Sequence, residues 1–83
     1  MDIAVEISLY PLNENYIPPI QDFIDRLNAH GGLRVTTNAL STQVFGDHDR
    51  IFDMLRREMA ASFAAGTAIF VTKFIGPYPA PGG

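Results

Sequence analysis

The chain has 83 residues, no cysteine and a formal net charge of −3 at pH 7. This length predicts one domain with a modest core, because a chain of this size buries only about 60% of its unfolded surface. The missing cysteines exclude disulfides and thiolate catalysis, the scattered basic residues indicate no nucleic-acid partner, and no apolar run approaches the ~20 residues that span a bilayer. The N-terminus shows no signal-like segment, so a cytoplasmic location is expected.

Residues 3–10 alternate between apolar and polar positions, which predicts a strand over these residues that Pro11 then stops. Pro18 and Pro19 suit the first turn of a helix, and apolar residues at helical spacing extend that helix over 17–30. The Gly-Gly pair that follows supplies a left-handed stop.

A tight turn at Asn38 and Ala39 joins two short strands into a predicted hairpin. Asp47 is placed to cap the helix that follows, and its charge favours the helix N-terminus. The last predicted strand is apolar on both faces, so it needs cover on its second side. The hairpin strands, the second helix and the last strand are predicted over 33–37, 41–45, 48–64 and 67–75.

The resulting order, β-α-β-β-α-β, predicts an α+β fold of the ferredoxin-like type. In this sandwich two helices cover one face of a four-stranded antiparallel sheet with strand order 4-1-3-2. Residues 1–75 form the single domain, and the Pro- and Gly-rich residues 76–83 are predicted to be a flexible tail. The second face of the sheet has no cover within the chain, so function is expected there.

The first strand turns Glu6, Ser8 and Tyr10 away from the helices. On the neighbouring third strand, the alternation favours Ser41, Gln43 and Phe45 outward, because Val44 is the better core residue. A register shift by one residue would instead expose Thr42 and Val44.

These segments are rich in neutral hydrogen-bonding side chains, which suit a small, flat, polar ligand better than bond cleavage. The amides of Asn38 and Gln43 donate and accept in one plane, which matches a ring nitrogen beside an exocyclic amine. Tyr10 and Phe45 offer flat surfaces for stacking. Glu6 is either a solvated carboxylate or, if the face is covered, a group that must meet a donor. The candidate ligand-binding residues are Glu6, Ser8, Tyr10, Thr37, Asn38, Ser41, Thr42 and Gln43.

No metal site and no catalytic constellation is predicted. Asp47, His48 and Asp49 are consecutive and do not converge on one point, and His30 suits a helix C-terminus better than a ligand role. The chain has no credible nucleophile–histidine pair, no phosphate-binding loop and no acid–base carboxylate pair. We therefore expect a protein that is not an enzyme and has no cofactor.

The chain resembles the YkoF-type thiamine- and hydroxymethylpyrimidine-binding family of the thiamine-binding ferredoxin-like superfamily. The resemblance covers about residues 4–75. It is carried by Ser8-Leu9-Tyr10-Pro11, by Tyr16 with the helix 20–27, by Thr37-Asn38 with Ser41-Thr42, and by Gly46 leading into Asp49, Phe52 and Leu55.

The resemblance implies non-enzymatic binding of thiamine or its hydroxymethylpyrimidine precursor, linked to thiamine salvage or transport. It maps pyrimidine recognition onto the region of Ser8 and Tyr10 and onto the hairpin 37–43. Some members carry two repeats whereas this chain has one, so a homodimer or homotetramer would rebuild the paired arrangement. A transporter component is left open as a further partner.

Two alternatives remain at this point. One is a dimeric α+β barrel-type enzyme that acts on an aromatic or polyketide-like substrate in a deep cavity lined by Phe52, Phe63 and Phe70, with His48 or His30 pointing into it. The other is an oligomeric regulatory module whose open sheet face serves only as an interface.

Overall fold

Six elements follow one another in the order that the periodicity predicts. The computed structural model describes residues 1–79. In chain order the elements are β1, α1, β2, β3, α2 and β4, which span Asp2–Pro11, Ile17–Asn28, Arg34–Thr37, Thr42–Asp47, His48–Ala65 and Ala68–Ile75.

The strands form one antiparallel sheet in the order β2-β3-β1-β4, which confirms the predicted order 4-1-3-2. Both helices pack on the same face of this sheet. The residues of β1 and β3 that point to that face, such as Val5, Ile7 and Val44, are buried. This βαββαβ layout is a ferredoxin-like α+β fold. The buried core comprises Ile3, Val5, Ile7, Phe23, Leu27, Val44, Ile51, Met54 and Leu55.

The register of β1 against β3 fixes which side chains face away from the helices. Glu6 lies opposite Gln43 and Ala4 lies opposite Phe45, and directly opposed residues share a face. Val44 is fully buried on the helix side. The outward set predicted for the third strand is therefore confirmed.

The helix boundaries depart slightly from the prediction. α1 ends at Asn28 rather than at residue 30. Gly32, with φ of 79°, adopts the left-handed conformation expected of the Gly-Gly pair. Asp47 caps α2 as predicted, because its carboxylate accepts hydrogen bonds from two main-chain N–H groups of the first turn. The hydrogen bond from the Arg50 N–H, above all, lowers the pKa of this carboxyl group.

Several strand boundaries also differ from the prediction. β3 begins at Thr42 and continues to Asp47, although the sequence predicts that Gly46 ends it. Gly46 lies inside the strand at a close approach, because a Cβ there would be 2.6 Å from Leu33 Cδ2. Pro11 is the last residue of β1 rather than the residue that stops it.

β4 is apolar on both faces, as predicted. Phe70 and Phe74 lie on the helix side, and Phe70 packs edge-on against Phe23 of α1 with ring centroids 5.2 Å apart. On the open face, Ile69, Val71 and Ile75 are 49%, 48% and 55% exposed. This edge of the sheet therefore presents an apolar stripe to its surroundings.

The beginning of the predicted tail lies against the sheet. The Tyr78 N–H donates to the Asp2 carbonyl at 2.7 Å, and the Tyr78 ring lies 6.0 Å from that of Phe45. The rest of the predicted tail, 80–83, lies outside the described residues. Within residues 1–79, neither helix has the length and hydropathy needed to cross a membrane.

Candidate functional site

The two neighbours of β1 leave it unevenly paired. β4 pairs with β1 from Ala4 to Pro11. β3 pairs with it only from Asp2 to Ile7, whose partner is Thr42. The last four residues of β1 consequently have a strand on one side and an opening on the other.

The hairpin turn explains why β3 stops there. Asn38 N–H donates to the Ser41 carbonyl at 3.0 Å. The Asn38 side-chain oxygen accepts from the N–H groups of Leu40 at 2.8 Å and of Ser41 at 3.0 Å. This local bonding closes the turn and satisfies main-chain groups that would otherwise continue the ladder. Leu40 is left 87% exposed at the tip.

A pocket of about 350 Å³ occupies the opening, and we call it the hairpin pocket. Three segments line it: the end of β1 (7–11), the start of α1 with the residue before it (16–24) and the hairpin turn (37–42). Its volume lies within the range of about 300–1,000 Å³ that small-molecule sites occupy. Mostly apolar walls with a few polar groups are typical of such sites.

Six of the eight predicted site residues line the hairpin pocket, but they do not share one face of the sheet. Thr37 and Thr42 lie on the helix side, with their hydroxyl oxygens 3.2 Å apart, and Thr42 is buried. The hairpin pocket is therefore not confined to the open face, where function is expected, because it wraps around the free edge of β1. The six residues are Ser8, Tyr10, Thr37, Asn38, Ser41 and Thr42.

The other two predicted residues, Glu6 and Gln43, lie in a separate depression of about 280 Å³ on the open face. We call it the sheet-face pocket; Phe45, Lys73 and Tyr78 also line it. The Glu6 side chain is 43% exposed and lies 3.8 Å from the Lys73 ammonium. It is thus a largely hydrated carboxylate rather than one buried without solvent.

Ser41 joins the two pockets. Its hydroxyl donates to Glu6 Oε2 at 3.0 Å and accepts from Gln43 Nε2 at 3.4 Å. The Asn38 amide oxygen is already used within the turn, and Gln43 points to the sheet-face pocket. Neither amide is therefore a free donor–acceptor pair in the hairpin pocket.

Sequence reasoning from polarity missed the wall that α1 contributes. Tyr16, Ile20 and Ile24 line the hairpin pocket, and Tyr16 is 53% exposed. Tyr16 and Ile20 are among the residues that carry the family resemblance. Judged by residue type alone, Tyr16 is interpreted as an exposed loop residue and Ile20 as a core position of a helix. Pro11 is the residue that could have indicated the opening beside β1, since a proline is tolerated in a strand where no partner needs its N–H.

A polar cluster fastens α1 to α2 away from both pockets. Arg26 donates to Glu58 Oε1 at 2.6 Å and to Ser62 Oγ at 2.8 Å, and His30 Nε2 lies 2.6 Å from Glu58 Oε2. Burial would raise the pKa of Glu58, but the hydrogen bonds from His30 and Arg26 outweigh it and lower that pKa. His30 therefore has a structural partner.

The side chains named for the enzyme alternative line neither the hairpin pocket nor the sheet-face pocket. Phe52 and Phe63 are 44% and 48% exposed, and Phe70 packs against the core. His48 lies beside Phe52, with ring centroids 4.8 Å apart. The part of the chain that the structure describes holds no group of three or more side chains suited to a metal ion.

The fold and the hairpin pocket define a small ferredoxin-like domain with a candidate ligand site at the free edge of its first strand. The sequence profile of the YKOF-related family matches residues 2–73. The chain belongs to this family. It matches none of the curated proteins with which it was compared.

Solved structures share the fold at low sequence identity. A protein of Streptococcus pneumoniae is 15% identical, with a TM-score of 0.87 over 94% of this chain and 89% of that one. A Thermotoga maritima protein, provisionally assigned to thiamine biosynthesis or salvage, is 16% identical, with a TM-score of 0.82 over 89% and 82%. A domain of unknown function (DUF77) from Bacillus cereus is 20% identical, with a TM-score of 0.79 over 93% and 77%.

Proposed function

We propose that this chain is a non-enzymatic binding protein for thiamine or its hydroxymethylpyrimidine precursor, and that it serves thiamine salvage or transport. Membership of the YKOF-related family supports this proposal, as does the likeness to a protein provisionally assigned to thiamine biosynthesis or salvage. The proposal expects binding without turnover and a cytoplasmic location.

The observation that carries the proposal is the composition of the hairpin pocket. Ser8, Thr37 and Ser41, which carry hydroxyl groups, line the same concave space as Tyr10 and Tyr16. A substituted pyrimidine presents a flat apolar ring with polar atoms around its rim, so aromatic walls and neutral hydrogen-bonding groups complement it. Groups of this kind bind and orient a ring without providing a nucleophile or a general base.

Calorimetric titration of the protein with thiamine and with hydroxymethylpyrimidine tests the proposal. We expect saturable heat with at least one of them, and a ligand that mass spectrometry recovers unchanged. The thiazole half of thiamine serves as the control ligand, because it lacks the aminopyrimidine. Absence of heat and of a thermal shift at millimolar concentration would contradict binding, and consumption of the ligand would contradict its non-enzymatic character.

A matched pair of tyrosine variants separates the two pockets. Tyr16→Ala removes an aromatic wall of the hairpin pocket, and Tyr78→Ala removes one from the sheet-face pocket. Loss of a ring contact worth about 0.5–1.5 kcal/mol should weaken binding by about 3- to 10-fold in Tyr16→Ala alone. The opposite ranking would place the ligand on the open sheet face.

The proposal includes a homodimer or homotetramer, because β4 presents an apolar stripe on the open face. Ile69, Val71 and Ile75 are about half exposed there, and contiguous exposed apolar surface is typical of association sites. Light scattering should give a mass above that of one chain. Val71→Glu should shift the mass toward a monomer. Thr36→Glu, which changes a residue of β2 on the same open face of the sheet, should not.

The alternative of an oligomeric regulatory module shares this apolar stripe. It predicts that association responds to Val71→Glu while neither thiamine nor hydroxymethylpyrimidine binds at any oligomeric state. Titration of the wild-type protein and of the Val71→Glu variant therefore distinguishes the two functions.

A further inference from the structure

The direction of the main-chain groups of β1 follows from hydrogen bonds at its two ends. The Leu12 N–H donates to the Thr67 carbonyl at 3.0 Å, on the β4 side. The His48 N–H donates to the Met1 carbonyl at 2.8 Å, on the β3 side. Because successive residues of a strand direct their N–H and C=O groups to alternate sides, even-numbered residues of β1 face β4 and odd-numbered residues face β3.

Leu9 is the odd-numbered residue that reaches beyond β3. Continuing the register past Ile7 and Thr42 would place Leu9 opposite Leu40, but Leu40 lies in the closed turn. Within residues 1–79, the Leu9 N–H and C=O have no partner strand on that side, and this stretch of β1 lines the hairpin pocket. Pro11, the next odd-numbered residue, has no N–H. The free edge therefore presents one donor, the Leu9 N–H, with the Leu9 C=O beside it as acceptor, and the Pro11 C=O is a second acceptor farther along the edge.

The Leu9 N–H and C=O have the spacing of an amide edge. In an antiparallel strand, the N–H and C=O of one residue are closely spaced and normally exchange two bonds with the residue opposite. A ring nitrogen beside an exocyclic amine presents the complementary acceptor and donor, the pattern that side-chain amides read on adenine. The aminopyrimidine of thiamine carries this pair of groups.

We propose that the main-chain N–H and C=O of Leu9 recognise the aminopyrimidine edge of the ligand, with the ring taking the place of the missing strand partner. This inference rests on the proposed function and names the groups that would give it specificity. The ring would lie near the plane of the sheet, with Ile20 and Ile24 of α1 on one side. Asn38 acts as a positioning residue, because its turn keeps Leu40 away from Leu9.

Amide hydrogen exchange measured by NMR tests the proposal directly. In the free protein, the Leu9 N–H should exchange at least about 10-fold faster than the N–H of Ile7, which is bonded to β3. Saturating hydroxymethylpyrimidine should slow exchange at Leu9 by about 3- to 10-fold, the effect of one added hydrogen bond. Slow exchange at Leu9 without ligand would overturn the proposal, because the edge would already be occupied.

Phe70 provides the matched control within the same protein. It lies opposite Leu9 on β4 in a pair that does not exchange hydrogen bonds, so its N–H faces the outer edge of the sheet. Hydroxymethylpyrimidine should leave exchange at Phe70 and Ile7 unchanged. Equal slowing at all three amides would indicate general stabilisation and would overturn a specific role for Leu9.

An analogue of hydroxymethylpyrimidine that lacks the exocyclic amine tests the acceptor. It cannot donate to the Leu9 carbonyl, so its affinity should fall by about 3- to 10-fold. Saturable binding with unaltered Leu9 exchange and no preference for the amine would overturn this inference while leaving the proposed function intact. Absence of any binding would instead overturn both.

Discussion

β1 has one complete edge and one interrupted edge, and the two differ in what they do. Toward β4, its pairing continues to Pro11, and the rings of Phe70 and Phe74 cover the helix side of that junction. Toward β3, its pairing ends at Ile7 and a pocket follows. A strand whose main chain is fully paired contributes stability, whereas one with an unpaired stretch inside a concave pocket retains hydrogen-bonding capacity for a ligand.

The comparison predicts that residues touching both edges matter most for stability. Phe23 is such a residue, because it is 2% exposed, packs on Phe70 of β4 and lines the hairpin pocket. Phe23→Ala should lower the free energy of unfolding by about 3–5 kcal/mol through the cavity that it leaves. Urea denaturation followed by circular dichroism measures this change.

Phe52→Ala is the control for that measurement. Phe52 is 44% exposed and stacks on Phe74 with ring centroids 5.1 Å apart, so its loss should cost only about 1 kcal/mol. Equal losses in the two variants would contradict the assignment of Phe23 to the core shared by both edges.

The sequence was sufficient to predict the complete edge of β1 but not the interrupted edge. Strict alternation in β1 predicted its faces, and the apolar β4 predicted its place beside a buried strand. The interruption depends on where β3 begins, and Ser41 looks as suitable for a strand as Thr42. Only the hydrogen bonds that the Asn38 side-chain oxygen accepts from the turn decide between them.

The same limit explains how the candidate site residues divide. Alternation assigned Glu6 and Gln43 to the open face, as the register confirms. Alternation could not show that the hairpin pocket passes from the open face to the helix side. The extent of that pocket depends on how many residues of β1 lack a partner in β3, and not on residue type. Thr37 and Thr42 were therefore grouped with side chains that lie on the opposite face.

A second prediction concerns the polar cluster that fastens α1 to α2 at a distance from the hairpin pocket. Glu58→Ala removes an acceptor that Arg26 and His30 both contact at 2.6 Å. Loss of hydrogen bonds to a charged, partly buried group should cost about 1.5–3 kcal/mol. The thermal midpoint should fall, while hydroxymethylpyrimidine should still bind the folded variant, because Arg26 and His30 lie beyond Ile24, the last residue of α1 that lines the hairpin pocket.

The pH dependence of unfolding checks the same cluster. Because the folded protein lowers the pKa of Glu58 below its ordinary value of 4.5, this group stabilises the fold above that pH and loses its contribution as the pH falls through and below it. Glu58→Gln should flatten the acid side of the stability profile. Glu14→Gln, in the loop after β1, should leave the profile unchanged.

A third prediction tests the turn that interrupts the β3 edge. Asn38→Ala removes the acceptor for two main-chain N–H groups and should lower stability by about 0.5–1.5 kcal/mol. It should also weaken hydroxymethylpyrimidine binding, because the turn then keeps Leu40 less firmly away from Leu9. Asn38→Asp retains an acceptor oxygen and should preserve both properties. Equal behaviour of the two variants in calorimetry would count against the turn as the cause of the opening.

The smallest expected effect concerns Glu6, which sits beside both edges of β1 and has a partner on each side. Its carboxylate is 43% exposed and contacts Lys73 at 3.8 Å, so Glu6→Gln should change stability by less than about 0.5 kcal/mol. Because Glu6 reaches the hairpin pocket only through the Ser41 hydroxyl, the same variant should change hydroxymethylpyrimidine affinity by no more than about 2-fold. A loss of about 10-fold or more, with Ser41→Ala unaffected, would mean that the carboxylate contacts the ligand itself. The ligand would then lie over the paired part of the sheet, and the interrupted edge would have no special part in recognition.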